Sequence, residues 1–237
     1  SSCVGCADVP PAPNFSLSFD GVDDYVSIGA SEDFNITDEL TIFATIKPNS
    51  YDCASIIDRF PGSSGEGYRL NLRGDCSSEN GVVWSSFGSA SSNAFAQSDG
   101  SGYSLSEWVT ITGVWKNNNY IKLYINGNLV DSTYTDRSFD TDRPLEFARL
   151  GYDGTEYFNG FIDRVSIWSV ALPEFQISSY AFTQPTGDEA NLVGYWNFND
   201  GEGSTLTDLS GNGNDGTIYG ATWSDEVPYE MSTENPA

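Results

Sequence analysis

The stretch Trp108-Val109-Thr110-Ile111-Thr112-Gly113-Val114-Trp115-Lys116, followed by Tyr120-Ile121-Lys122-Leu123-Tyr124-Ile125-Asn126-Gly127, decides the fold. Val109, Ile111 and Trp115 fall on one side of an extended chain, and Thr110, Thr112 and Lys116 on the other. This is the period-two pattern of a half-buried strand. Ile121, Leu123 and Ile125 repeat it. Asn126-Gly127 then supplies a two-residue hairpin turn before the chain returns through Leu129 and Val130.

The same pattern extends along the chain, in short segments parted by Gly, Asn, Ser and Asp. Strands are predicted over Phe15 to Phe19, Tyr25 to Ile28, Leu40 to Lys47, Ser55 to Phe60, Tyr68 to Arg73 and Val82 to Phe87. Later ones are Leu145 to Leu150, Phe161 to Ser169, Leu192 to Phe198 and Gly216 to Tyr219. Strands of this number and spacing predict an all-β fold, a two-sheet antiparallel β-sandwich of jelly-roll type. One short helix is predicted over Pro173 to Tyr180, where Pro in the first turn and an adjacent Glu suit a helix start. Residues 1–14 and 225–237 read as tails around a single domain over residues 15–224.

Composition narrows the function. Ten Lys and Arg face 34 Asp and Glu, a formal charge of −24. Phosphate neutralisation dominates nucleic-acid affinity, so nucleic acid is a poor partner, as is an anionic membrane. Bound cations or screening salt would relieve the self-repulsion. No run of 18 apolar residues is present, which argues against membrane insertion. No leader heads the numbering, so the chain reads as a mature or trimmed product, soluble and secreted or held at the cell surface. Four cysteines fit an oxidising compartment. A zinc site would want His or a second close Cys pair, and the chain has no histidine. Cys53 and Cys76 are therefore expected to form a disulfide, and closing that loop would contribute ~3 kcal/mol. Cys3 and Cys6 stay open between a small terminal loop, a redox motif and an intermolecular link. Asn14 and Asn35 each begin a glycosylation triplet.

Four segments together resemble the laminin-G-like jelly roll of the concanavalin-A-like lectin and glucanase superfamily. They are Phe19-Asp20-Gly21-Val22-Asp23-Asp24-Tyr25-Val26; the Trp108 to Trp115 and Leu123 to Gly127 pair; Phe158 to Trp168; and Leu192 to Phe198 leading into Asp208 to Gly216. The resemblance spans residues 15 to 223 and implies two curved antiparallel sheets. Related domains often carry His where Asp215 stands here, and no catalytic meaning attaches to the change.

The acidic turn suggests Ca2+. Asp20, Asp23 and Asp24 crowd a Gly-containing turn, where three carboxylates repel one another unless a cation or solvent intervenes. Asp163 enters an otherwise apolar strand, so it needs a metal, a paired charge or hydrogen bonds. The resemblance implies a structural cation joining this turn to the Asp163 strand. The plainer alternative is that Asp20 and Asp23 make local turns, Asp24 is solvated and Asp163 pairs with an arginine.

Catalysis finds little support. The Glu-x-Asp-x-x-Glu string of laminarinase-type enzymes on this fold does not occur, and without histidine the Ser-His-Asp and Cys-His nucleophiles are excluded. The chain therefore does not read as an enzyme, with a polysaccharide hydrolase or lyase kept as the remote alternative. Carbohydrate binding draws on the placement of scarce arginine. Arg69, Asn71 and Arg73 alternate with Leu70 and Leu72, so they share a polar face. Arg59 and Arg149 lie on other predicted strands, while Tyr68, Trp84 and Tyr152 offer flat surfaces for a sugar ring. Guanidinium forks suit carboxylate or sulfate groups, which points to an acidic polysaccharide or glycoconjugate. Trp84 is expected to be exposed; Trp108, Trp115, Trp168 and Trp196 are expected in the core. A protein-binding adhesive or structural module, within a larger parent protein, is the competing reading.

Overall fold

A computed structural model describes residues 14–60, 62, 66–73, 81–87, 94–98, 100, 102–136, 142–151 and 153–228. Its strands fall into two packed antiparallel sheets, as the alternation predicts. Sheet A holds the signature hairpin. Its members are β1 (Ser16–Asp20), β3 (Glu39–Pro48), β8 (Val109–Lys116), β9 (Asn119–Ile125), β10 (Asn128–Thr135), β12 (Asn159–Trp168), β13 (Leu192–Trp196) and β16 (Thr222–Ser224). Their order is β10-β9-β8-β3-β12-β1-β16, with β13 also paired to β12. Sheet B is built from β2 (Tyr25–Gly29), β4 (Cys53–Arg59), β5 (Gly67–Arg73), β6 (Val82–Phe87), β7 (Ala94–Gln97), β11 (Leu145–Phe147), β14 (Thr205–Leu206) and β15 (Gly216–Tyr219). Its order is β14-β15-β2-β11-β4-β5-β6-β7.

The core lies between the sheets. Ile111, Trp115, Ile121 and Leu123 of sheet A meet Val26, Ile56, Leu70, Trp84 and Phe147 of sheet B. Apolar burial of this kind is the main stabilising term, at roughly 25 cal/mol per Å². Residues that alternate outward have two different fates. On sheet A, Phe43, Val114, Tyr124 and Trp168 form a second apolar cluster with Leu172 and Ile177. The cover is the segment after β12 together with helix α1 (Glu174–Tyr180), capped at its start by Pro173. The outward face of sheet B is polar, with Ser55, Asp58, Asn71, Ser85 and Glu146 along it.

Several sequence expectations shift by a residue or two at their ends. The chain stays ordered past residue 224, where Glu226 pairs with Lys47 and its carbonyl accepts from the Ser16 hydroxyl. Trp115, Trp168 and Trp196 are buried as expected, whereas Trp108 is half-buried.

Trp84 and Arg59 need correction. Trp84 is fully buried, because β6 pairs Trp84 with Leu70 and so puts the indole on the leucine side of the sheet. Its Nε1 donates to the carbonyl of Val114 across the core. Gly113 makes room for the ring: a Cβ there would lie 2.5 Å from Cδ2 of Trp84. Arg59 is 1% exposed. A register shift between Ser55 and Ile57 changes which residues of β4 face inward, and Arg59 pairs with buried Tyr68. Its guanidinium donates to the carbonyls of Phe34 and Arg143 and to Oδ1 of Asn35, tying the turn Glu32–Phe34 to the sheet. Neither residue lies on the ligand face proposed for it, and Tyr68, also fully buried, offers no sugar platform.

Candidate functional site

Sheet B places Arg69, Asn71 and Arg73 on its outward face, as their alternation with Leu70 and Leu72 predicts. They line a groove of about 200 Å³ with Cys53, Val83, Ser85, Phe95 and Glu156. Arg69 is held by an ion pair with Glu156, and its Nε also donates to the Ser55 hydroxyl. Arg73 lies with its guanidinium carbon 5.8 Å from the centre of the Phe95 ring and donates to Oε1 of Gln97. The groove thus combines guanidinium donors, an amide and a hydroxyl with one part-exposed aromatic ring.

Beside the groove the face is closed by residues 149–151 and 153–157. Gly151 N–H donates to Oδ1 of Asp58, and a Cβ on Gly151 would collide with Oε2 of Glu146, so this close approach requires glycine. Glu146 receives both Nε and Nη2 of Arg149 in a forked ion pair. Asp58 is 1% exposed, and burial pushes its carboxyl up to about 7; Arg69 and the amides of Phe60 and Gly151 pull the other way. Arg149 is therefore an organising residue more than a groove residue. Its guanidinium carbon lies 3.5 Å from the centre of the Tyr25 ring, which stacks on Tyr219 at 4.5 Å. Tyr152 lies outside the described residues.

Alternation alone finds the arginine stripe but not Glu156, Ser85, Phe95 or the Tyr25 and Tyr219 pair. The last two are 194 residues apart and meet only through the β2 and β15 register.

The acidic turn is formed. One oxygen each of Asp20, Asp23 and Asp24 lies within 4.8 Å of the others, an all-oxygen set that fits a hard divalent cation. Part of the cluster already serves the turn: Oδ1 of Asp20 accepts from Val22 N–H, and Oδ2 of Asp24 accepts from Asp20 N–H. Burial raises the Asp24 carboxyl above the usual aspartate range, the Asp20 amide opposes this, and the charges of Asp20 and Asp23 add to it. The structure does not bring Asp163 to this cluster. Asp20 pairs with Asn159, four residues from Asp163 along β12, a distance of ~13 Å at about 3.3 Å per residue. Asp163 is instead buried at the bulge between Ile162 and Arg164. Asn159 takes the place beside the turn that the sequence reading gave to Asp163.

Cys53 is disulfide-bonded. Its predicted partner Cys76, and Cys3 and Cys6, lie outside the described residues. A separate depression of about 350 Å³ beside α1 has Trp168 and Tyr180 in its wall. Trp168 is buried against Tyr180, so its ring is not free to stack on a ligand.

The family model Laminin_G_3, concanavalin A-like lectin/glucanases superfamily, matches residues 20–178. The chain belongs to this superfamily. No curated protein matches the chain. Among solved structures, a candidate carbohydrate binding protein from Bacteroides ovatus ATCC 8483 is similar at TM-score 0.69 and 19% identity over 91% of this chain. The chain spans 60% of that protein's length. The CBM40 of the Ruminococcus gnavus IT-sialidase, bound to α2,3 sialyllactose, is similar at TM-score 0.57 and 13% identity, covering 72% of this chain and 99% of that one. A heptameric SAP-like pentraxin from Limulus polyphemus gives TM-score 0.53 and 16% identity, over 71% of this chain and 82% of its own. At these identities the likeness is one of fold.

Proposed function

We propose that this lectin-like domain is a non-catalytic carbohydrate-binding module of an extracellular protein, and that it holds glycan in the groove on sheet B. The carrying observation is the cluster of Arg69, Asn71, Arg73, Ser85 and Phe95 around one groove, on the sheet face that no helix covers among the described residues. Hydroxyl and carboxylate groups of a sugar need convergent donors, and the guanidinium groups favour an acidic glycan. The sialyllactose held by the Ruminococcus gnavus module supports an acidic sugar as ligand.

Binding is favoured over hydrolysis by the condition of the nearby carboxylates. Glu146 is engaged at both oxygens by Arg149, and Asp58 is sealed beneath Gly151. Glu156, the carboxylate in the groove wall, is paired with Arg69, so none of the three stands free in the cleft as one of two carboxyls flanking a glycosidic bond must.

Ca2+ is proposed at Asp20, Asp23 and Asp24, with backbone carbonyls and water completing its shell. When bound it would supply charge neutralisation to a turn that leads directly into Tyr25. Secretion or display at the cell surface, and pairing of Cys53 with Cys76, belong to the same reading, supported by the half-cystine at Cys53.

The test is a glycan array screened with wild type, Arg73→Ala and Asn71→Ala. Binding of acidic glycans by wild type, weakened about tenfold in each variant, is expected from the loss of a charge-assisted or amide hydrogen bond. Binding that is equal in all three proteins, or absent in wild type, rejects the groove; retention of a purified protein partner with no glycan binding would favour an adhesive module.

A further inference from the structure

On the same face of sheet B, away from the groove, Arg149, Tyr25 and Tyr219 form a stack of flat groups. Arg149 lies over one face of Tyr25, and Tyr219 lies against the other at an interplanar angle of 8°. Arg149 is itself fixed by the forked ion pair with Glu146. Tyr25 is thus clamped on both faces, while Tyr219, the last ring, is 45% exposed.

What adjoins Tyr219 matters most. β14 pairs with β15 through Thr205 and Thr217, and Ser204 continues the pairing by accepting Ile218 N–H. The next residue is Gly203, whose absent side chain leaves open space: a Cβ there would meet nothing within 4 Å. An aromatic ring braced from behind and open in front suits the apolar face of a sugar ring, and its rigidity lowers the entropic cost of binding.

We propose that Tyr219 is a stacking subsite for a sugar ring and forms the far end of an extended glycan site that begins in the Arg69, Asn71 and Arg73 groove. From β15 to β5 is four strand spacings, or ~19 Å. Because Arg149 and Gly151 cover Tyr25, Glu146 and Asp58 between the two ends, a chain that joins them passes over that covering segment and touches the sheet only at Tyr219 and in the groove. The ligand class that fits is therefore an oligosaccharide or polysaccharide chain, since a disaccharide reaches one end only. The proposal rests on the glycan-binding reading.

The experiment is affinity electrophoresis of wild type, Tyr219→Ala, Tyr219→Thr, Tyr219→Phe and Arg73→Ala. Gels are cast with soluble alginate, pectin, xylan, galactan or β-glucan, and titration with di- to octasaccharides of the retarding polymer follows. Tyr219→Thr keeps a strand-forming residue, so it reads the ring even if the alanine variant folds poorly. Loss of roughly three- to tenfold in affinity for the longer oligosaccharides in Tyr219→Ala and Tyr219→Thr is expected, with Tyr219→Phe close to wild type. Disaccharide affinity should fall only in Arg73→Ala. Wild-type affinity of Tyr219→Thr for the longest oligosaccharide, or an equal loss for disaccharides, overturns the subsite while leaving the groove standing. Failure of every polymer to retard wild type removes both.

Discussion

Asp58 faces Arg69 across β4 and β5, yet its Oδ2 stands 3.9 Å from the arginine Nε, at the far limit of a direct ion pair. Arg69 is drawn instead toward Glu156. Asp58 is left under-compensated in a buried position, and burial takes its carboxyl to about 7.

A pH dependence follows. The folded state holds the proton more tightly than the unfolded chain, so the stability it contributes is complete below the ordinary aspartate value of 3.8 and is lost as pH rises to about 7. Asp58→Asn keeps an acceptor for Gly151 and removes the charge. Thermal melts at pH 5 and pH 8 should show the wild type losing more stability than the variant over this interval, with a difference of roughly 2–3 kcal/mol. Parallel curves for the two proteins would place the proton elsewhere.

Arg59 is a structural staple, and its replacement should reveal that. Arg59→Met strips donors from the Phe34 and Arg143 carbonyls and from Asn35. Urea unfolding is expected to show a loss of about 2–4 kcal/mol, the cost of leaving buried acceptors unsatisfied. Glycan affinity measured on the folded variant should match wild type; a selective loss of affinity with stability intact would return Arg59 to the ligand face.

Calcium should raise the melting temperature. At a hundredfold excess over the dissociation constant, a ligand specific to the native state contributes about 2.7 kcal/mol. Asp20→Ala combined with Asp23→Ala should abolish the shift, since both carboxylates are exposed and available to a cation. Identical melts with calcium and with chelator would dismiss the site.

The pairing of the signature hairpin was legible, because Asn126-Gly127 and the alternating apolar residues depend on local chemistry alone, and Ile125 indeed pairs with Asn128. The strand predicted as half-buried is buried on both faces, since Thr110 and Thr112 lie beneath the segment that carries α1. β10 runs on to Thr135 through Asp131, Ser132 and Thr133, and it could be missed because an edge strand needs no apolar face. Ala94–Gln97 was hidden for a similar reason, as four residues at the edge of sheet B beside β10, where Gln97 N–H donates to Asp131 Oδ2. Within the site, Arg69, Asn71 and Arg73 follow from simple alternation. Arg59 and Trp84 do not, since a register shift in β4 and a cross-strand partner decide which way they point. Asp163 was misplaced because the register that sends Asn159 to Asp20 is a long-range fact.

The pairing of β1 with β16 has a mechanical consequence. Ser16 lies beside Ser224, so the chain enters and leaves this lattice of strands at neighbouring points. A pull applied through those two points would load the hydrogen bonds one after another, as a zipper opens, and not all together in shear. The β16 edge would peel away at low force while sheet B, which shares no strand with it, kept its shape.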